Sequence, residues 1–347
     1  ALGFPGVLSL SAQDQPDGFA SLSGKGLITT TGGEGGETVL VKTLSDLKKY
    51  TGSSDPFIII VNGLIESTPW TEVRVTSNKT IVGYGCDATL KNLELNLIDV
   101  ENVIIRNLTI RDSYVEGDYD GKTNDNDAIQ ADNCHHIWID HCFLTHCGDG
   151  LIDLRKACDY VTVSWVHFSN HNKTFGIGWT EETDWAMTIH HCWFDGTRTR
   201  NPSFDQGMGH LYNNYLNKNT AYGNLSRGNA RLVVENSYFY NVYTPLNISD
   251  NGLLFSSGNI FERCTGNQTG NVSEMPFDPG SYYNYTLDPT SEVPAIVASG
   301  SGPQAHIGDQ YTASMPKYSL YLQIAEGNGT ITPENGDFIE EATIQVK

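Results

Sequence analysis

Short runs of apolar, mostly β-branched residues recur along the chain, each trailed by polar or aromatic positions: TIVGYG, VIIRNLTI, IWIDHCFL, VTVSWVHF, TIHHCWF, HLYNNYL and LVVENSYF. Aligned on Val82, Ile105, Ile139, Val163, Ile189, Leu211 and Val234, they step by 23, 34, 24, 26, 22 and 23 residues. A repeat of that length is the mark of stacked units, each too small to bury its own apolar face, so one step reads as one turn of a solenoid. The runs carry no helical periodicity, are rich in Val, Ile and Thr, and are separated by Gly, Asn and Asp, which predicts strands. The expected fold is all-β, a right-handed parallel β-helix with core turns over about residues 57–262.

Equivalent residues of successive turns stack roughly 4.8 Å apart in such a fold, so like side chains form ladders. Asn107, Asn213 and Asn236 are candidates for one internal ladder, and Cys142 with Cys192 for another. SDLKKY at 45–50 predicts a helix just before the strand FIIIVNG, placed to cap the open end of the solenoid. After about 262 the period fades into Gly, Pro, Ser and Tyr-rich sequence, expected to form loops folding back along the coil. The domain reading is a β-helix unit over 1–318 and a strand-rich tail over 319–347, where two or three short strands with a turn are expected.

Composition narrows the function. Acids outnumber bases 41 to 21, a net charge of -20, which excludes the Lys and Arg surface that nucleic acid requires. No apolar run reaches the length of a membrane span, and the opening ALGFPG has no signal-like apolar core, so a mature secreted, extracellular form is expected. The seven Cys include no CxxC pair and are read as small buried apolar residues. Sequons begin at Asn78, Asn107, Asn172, Asn224, Asn247, Asn267, Asn271, Asn284 and Asn328, a number that a chain rich in Asn, Ser and Thr produces by chance. Asn107, as a ladder residue, is expected to be unglycosylated.

Period and chemistry coincide at Asp127, Asp149, Lys173, Arg200 and Arg227, spaced by 22, 24, 27 and 27 residues. Each step is about one turn, so these side chains are expected in a vertical stripe on one outer face, with carboxylates at one end and cations at the other. Asp125 and Asp153 lie two and four positions from stripe members and so share the same side of an extended chain. Four carboxylates without His or Cys at ligand spacing suit a hard, oxygen-preferring cation, and Ca²⁺ is the expected one. A single such Asp would read as a solvated surface acid; four beside a cation stripe do not. DYDGKTNDND at 118–127 lacks the closing Glu of an EF-hand loop.

These residues resemble the pectate lyase superfamily over roughly 18–262. The resemblance rests on NVIIRNLTI, DAI at 127–129, WIDH at 138–141, DGLID at 149–153, VTVSW at 161–165, HNKT at 171–174, and RNPSF at 200–204 followed by GHLYNNY. It implies a calcium-dependent lyase that cleaves α-1,4-linked polygalacturonate by β-elimination, leaving 4,5-unsaturated oligogalacturonates. Asp125, Asp127, Asp149 and Asp153 resemble its calcium ligands, Lys173 its substrate-binding lysine with a share in catalysis, Arg200 its proton-abstracting arginine and Arg227 a further substrate-binding arginine. The partner implied is an acidic polysaccharide, with no nucleic acid and no membrane, bound by a monomer.

One residue departs from the pattern. Asp205 stands where the family's arginine-proline motif usually continues to a second arginine, and it is expected to pair with Arg200; Arg155 or Arg198 are the candidates to compensate. The departure keeps two other readings open, a lyase for a different uronate polymer and a noncatalytic calcium- or glycan-binding protein. A pectin lyase would have little use for the acidic cluster, and the GHG and RIK motifs of polygalacturonases are absent.

Overall fold

The computed structural model describes residues 15–308, with the backbone of 317–320 and 336–339. Ten strands form one parallel sheet in chain order: Glu37–Val41, Phe57–Val61, Lys79–Gly83, Glu101–Arg106, His135–Asp140, Asp159–Ser164, Ala186–His190, Met208–Tyr212, Arg231–Glu235 and Leu253–Ser257. A second sheet runs down the rest of the wall as two rows joined through Thr89–Ile98. One row holds strands of three residues such as Phe143–Thr145 and Trp193–Asp195; the other holds Ile129–Asp132, Gly150–Arg155, Lys173–Gly178, Ser203–Asp205, Asn224–Arg227 and Leu246–Ile248. This is the expected parallel β-helix. It begins one turn earlier than predicted, because ETVLV at 37–41 pairs in register with Phe57–Val61.

Ile59, Ile81, Ile105, Ile139, Val163, Ile189, Leu211 and Val234 lie one above another, and all are fully buried. The predicted alignment is corrected by one residue in its first step: Ile105 pairs with Ile81, and Val82 pairs with Arg106. A one-residue slip in a strand exchanges its two faces. Val82 faces outward, where it packs with Ile60 and Ile307. The long step from Ile105 to Ile139 contains the loop between strands Thr109–Arg111 and Ile129–Asp132, which carries Asp118, Asp125 and Asp127.

At one corner of the coil, successive turns bend through a residue in the left-handed region: Asn107, His141, Trp165, His191, Asn213 and Asn236 have φ between 42° and 61°. Asn tolerates this conformation; the His and Trp residues are held there by stacking, with Trp165 and His191 ring centroids 4.3 Å apart. The predicted ladder is therefore split. Asn213 Nδ2 donates to Asn236 O at 3.0 Å, whereas Asn107 is separated from them by the aromatic members of the column. Asn107 is nevertheless fully buried, and its Nδ2 donates to Gly83 O and Gly85 O. Cys142 and Cys192 share a column with Val166 between them, so they do not touch as a ladder; among the described residues all seven cysteines are free and five are buried.

The capping helix spans Leu44–Thr51, with Thr43 Oγ1 accepting from Asp46 N at 3.1 Å and Leu47 fully buried in the first turn's core. The segment after 262 does fold back along the coil, and it includes a helix, Val293–Gly300, that the sequence reading missed. Tyr283 Oη bonds Thr188 Oγ1 and His210 Nδ1 at 2.7 Å each, Asp288 pairs with His191 at 2.9 Å, Gly302 N donates to Trp165 O, and Gln304 N donates to Asn107 Oδ1. In the tail, Lys317–Leu320 pairs antiparallel with Gly336–Ile339; the remainder of the predicted tail strands lies outside the described residues. No helix among the described residues is long and apolar enough to cross a membrane.

Ile139 sits in the inward column between Ile105 and Val163, with no exposed surface. Ile139→Ala is expected to destabilise the fold by about 3 kcal/mol. The measurement is the urea midpoint, which should fall without loss of the denaturant slope; an unmoved midpoint would mean that the column does not bear the stability assigned to it.

Candidate active site

The outward faces of Ile129–Asp132, Gly150–Arg155, Lys173–Gly178, Ser203–Asp205 and Asn224–Arg227 form one surface. Ile152 and Phe175 pair in register, fully buried beneath it, which turns Asp153 and Gly176 outward. Register fixes the columns. Asp153 lies between Gln130 and Gly176, while Arg155 lies between Asp132 and Gly178, and Asp205 is directly opposite Arg227.

At one end of this surface Asp125, Asp127 and Asp149 bring carboxylate oxygens within 4.8 Å of one another. Asp125 is exposed, Asp149 half-buried and Asp127 fully buried. Burial pushes the Asp127 carboxyl well above the usual range, and the neighbouring Asp153 and Glu94 add to the rise. Three converging carboxylates are an all-oxygen donor set whose mutual repulsion a hard cation would relieve, so these residues fit Ca²⁺. The fourth predicted ligand is placed differently: Asp153 accepts from Arg200 Nη1 at 3.4 Å, and burial raises its carboxyl to about 7 against the opposing effect of Arg200.

Glu94 is a site residue that the sequence reading missed. It is 1% exposed, its Oε2 accepts from Asp127 N at 3.2 Å, its Oε1 accepts from Asn96 Nδ2 at 3.1 Å, and burial lifts it to about 8. The signal was available in LELNL, where Glu94 and Asn96 share one face of a strand whose other face is leucine. Asp118, by contrast, is consumed by its own loop. Its carboxylate accepts from Lys122 N, Thr123 N, Thr123 Oγ1 and Asn124 Nδ2, and these bonds, led by the Thr123 hydroxyl, hold it near 2.

Each predicted cation has an acid or amide partner. Lys173 Nζ reaches Asp149 Oδ1; Arg155 Nε donates to Asp132 Oδ1 at 2.6 Å and Nη1 reaches Asp125 Oδ2 at 3.5 Å; Arg198 Nη1 donates to Asn172 Oδ1 at 3.0 Å. Asp205 corrects its expectation. It pairs with Arg227 at 3.2 Å rather than with Arg200, because it follows Arg200 by five residues and so falls in register with the arginine of the next turn. Arg227 accordingly stands in the Arg155 and Asp205 column, not beneath Arg200. Arg200 has φ 58° and precedes the cis Asn201–Pro202 bond; its carbonyl accepts from Phe175 N at 2.8 Å, and its guanidinium lies 5.2 Å from the Trp179 ring centroid. Three sequon residues are committed internally: besides Asn107, Asn172 Nδ2 donates to Tyr119 O and Asn224 Nδ2 to Asn201 O.

The arrangement, a carboxylate trio beside Lys173 and Arg200 on one wall of a parallel β-helix, can hold a metal ion and an anionic chain side by side. Comparison with known proteins places the chain in a family. A family profile described as pectate lyase matches residues 7–305. A pectate trisaccharide-lyase of Thermotoga sp. strain RQ2 is 37% identical over 341 residues, covering 86% of this chain and 91% of its own. Pectate lyase A of Aspergillus niger is 31% identical over 307 residues, covering 84% and 88%. The crystal structure of a Bacillus sp. N165 pectate lyase in complex with trigalacturonate superposes with a TM-score of 0.71 at 26% identity, covering 83% of this chain and 98% of its own. The chain belongs to the pectate lyase family and is a polysaccharide lyase.

Proposed function

We propose that the protein is a calcium-dependent pectate lyase, a monomer acting outside the cell on α-1,4-linked polygalacturonate and releasing 4,5-unsaturated oligogalacturonates. The observation that carries this reading is the adjacency of the Asp125, Asp127 and Asp149 oxygens to Lys173 and Arg200 on one surface. Asp125, Asp127 and Asp149 would hold the cation, with Asp153 close by. Ca²⁺ there supplies the positive charge that draws electron density from a uronate carboxylate and acidifies the hydrogen on C5.

The chain's own residues do the rest. Lys173 holds the carboxylate and offsets the charge that develops on it as C5 loses its proton. Arg200 takes that proton on a guanidine nitrogen; the C5–H electron pair becomes the C4=C5 double bond, the C4–O bond breaks, and the departing oxygen is protonated by solvent. Arginine is ordinarily locked in its charged form, so this role calls for alkaline pH and for the neighbouring Lys173 charge. Arg155, Arg198 and Arg227 extend the cationic surface along the polymer.

Ultraviolet absorbance of the conjugated product tests the reaction. With polygalacturonate and Ca²⁺ at alkaline pH absorbance should rise; chelation should abolish the rise, and Arg200→Ala should slow it by roughly 10³-fold. Equal rates in wild type and Arg200→Ala would remove Arg200 from the reaction. The acidic cluster has its own signature. Glu94 at about 8 and Asp153 at about 7 exceed their unfolded values of about 4, so folding takes up protons and stability is lost as pH rises through that window. The chelated protein should therefore melt lower at pH 8 than at pH 5, and the gain on adding Ca²⁺ should be larger at pH 8; a flat profile would contradict the assignment. Finally, Asp205→Asn frees Arg227 from its pair and should lower KM for polygalacturonate about threefold, with kcat little changed. A raised KM would show instead that Asp205 orients Arg227 productively.

A further inference from the structure

Gly178 has φ 135°, and a Cβ there would lie 2.5 Å from Asp205 O, so only glycine fits where the chain leaves the strand Lys173–Gly178. The next residue, Trp179, is itself in the left-handed region at φ 53°. This reversal folds the indole back over its own strand: Trp179 Cη2 lies 2.5 Å from where a Gly176 Cβ would stand, and Asp153 Oδ1 and Arg200 Nη1 lie 2.7 and 2.9 Å from that same point. Glycine at 176 is what lets indole, carboxylate and guanidinium converge. Trp179 is nonetheless 46% exposed, and it is the one exposed tryptophan of six, the others being buried or half-buried. One side of the ring meets Arg200, with the guanidinium carbon 5.2 Å from the centroid, and the indole also presents apolar surface to solvent beside the proposed proton acceptor.

We propose that Trp179 is a substrate-contacting residue that carries the C–H face of a hexuronate ring, and that through the same indole it positions Arg200 for the sugar it carries. The inference rests on the lyase reading of the site. A pyranose has apolar C–H faces and polar edges, so a ring lying on the exposed indole leaves its carboxylate free to meet Lys173 and the cations along the surface. The indole face lies over the planar guanidino group and fixes where it sits against Asp153. Stacking of the sugar is read in the emission and in KM, positioning of Arg200 in kcat, so the two roles separate experimentally.

The test is titration of the wild type, Trp179→Phe and Trp179→Ala with trigalacturonate in Ca²⁺, followed by intrinsic tryptophan fluorescence and completed before product accumulates, alongside steady-state lyase kinetics on polygalacturonate. In the wild type, trigalacturonate should change the emission. In both variants that change should be lost. Trp179→Ala should raise KM about tenfold and lower kcat as well, while Trp179→Phe, which keeps an aromatic face, should recover most of kcat and stay within about threefold of the wild-type KM. Emission unaffected by trigalacturonate together with an unchanged KM in Trp179→Ala would overturn the proposal while leaving the lyase reading intact. A wild-type emission change that is lost in Trp179→Ala, with no unsaturated product from any form, would keep the sugar platform and overturn the reaction. Trp179→Phe as impaired as Trp179→Ala would remove the aromatic role, and a wild type that does not bind trigalacturonate at all would overturn both.

Discussion

Everything in this molecule depends on parallel strands staying in register from one turn to the next. The inward column from Ile59 to Val234 is continuous, and a slip of one residue in any strand would expose its apolar members and bury its outward ones. The same constraint builds the active site. Because Ile152 and Phe175 are pinned inward in register, Asp153 and Gly176 must face outward at neighbouring heights, and Asp205 must face Arg227. The geometry of the candidate site is a by-product of core packing.

Electrostatics explains the character of the site. The chain carries a net charge of -20, and the substrate proposed for it is a polyanion. The four cations of the candidate site are held by acids of neighbouring turns, Lys173 by Asp149, Arg155 by Asp132 and Arg227 by Asp205 from one turn away, and Arg200 by Asp153 from two. Such pairs hold long side chains extended across the wall, where flexible lysines and arginines would otherwise sample many rotamers. The buried carboxylates Asp127 and Glu94 are the opposite case, since they are raised by burial and repel each other, a cost a stable core would avoid.

Much of this was legible in the sequence because a solenoid writes its period directly into the chain. The fold and the proximity of Asp127, Asp149, Lys173 and Arg200 follow from strand spacing, the capping helix from SDLKKY, and the returning loops from the Gly, Pro, Ser and Tyr-rich sequence after 262. What was not legible depended on exact register and on residues brought in from other turns. The Asp205 partner required knowing that the turn from Ser203 to Leu225 is 22 residues, shorter than the 27 from Gly176 to Ser203, which moves Arg227 out of line with Arg200. Glu94 belongs to a turn before the acidic loop, so no local motif joins it to Asp127. Asn107 lay in the predicted column, but the intervening corner positions are filled by His141, Trp165 and His191, which stack as rings.

The segment that returns along the coil has a mechanical meaning. A bare stack of turns touches only its nearest neighbours, so it can peel from either end, turn by turn. Here one stretch of chain leaves the last turn and fastens in succession to His210, His191, Trp165 and Asn107, running from the late turns back to the early ones. That turns the stack into a laced rod: loosening a terminal turn strains the lacing across all the turns it crosses, from His210 to Asn107.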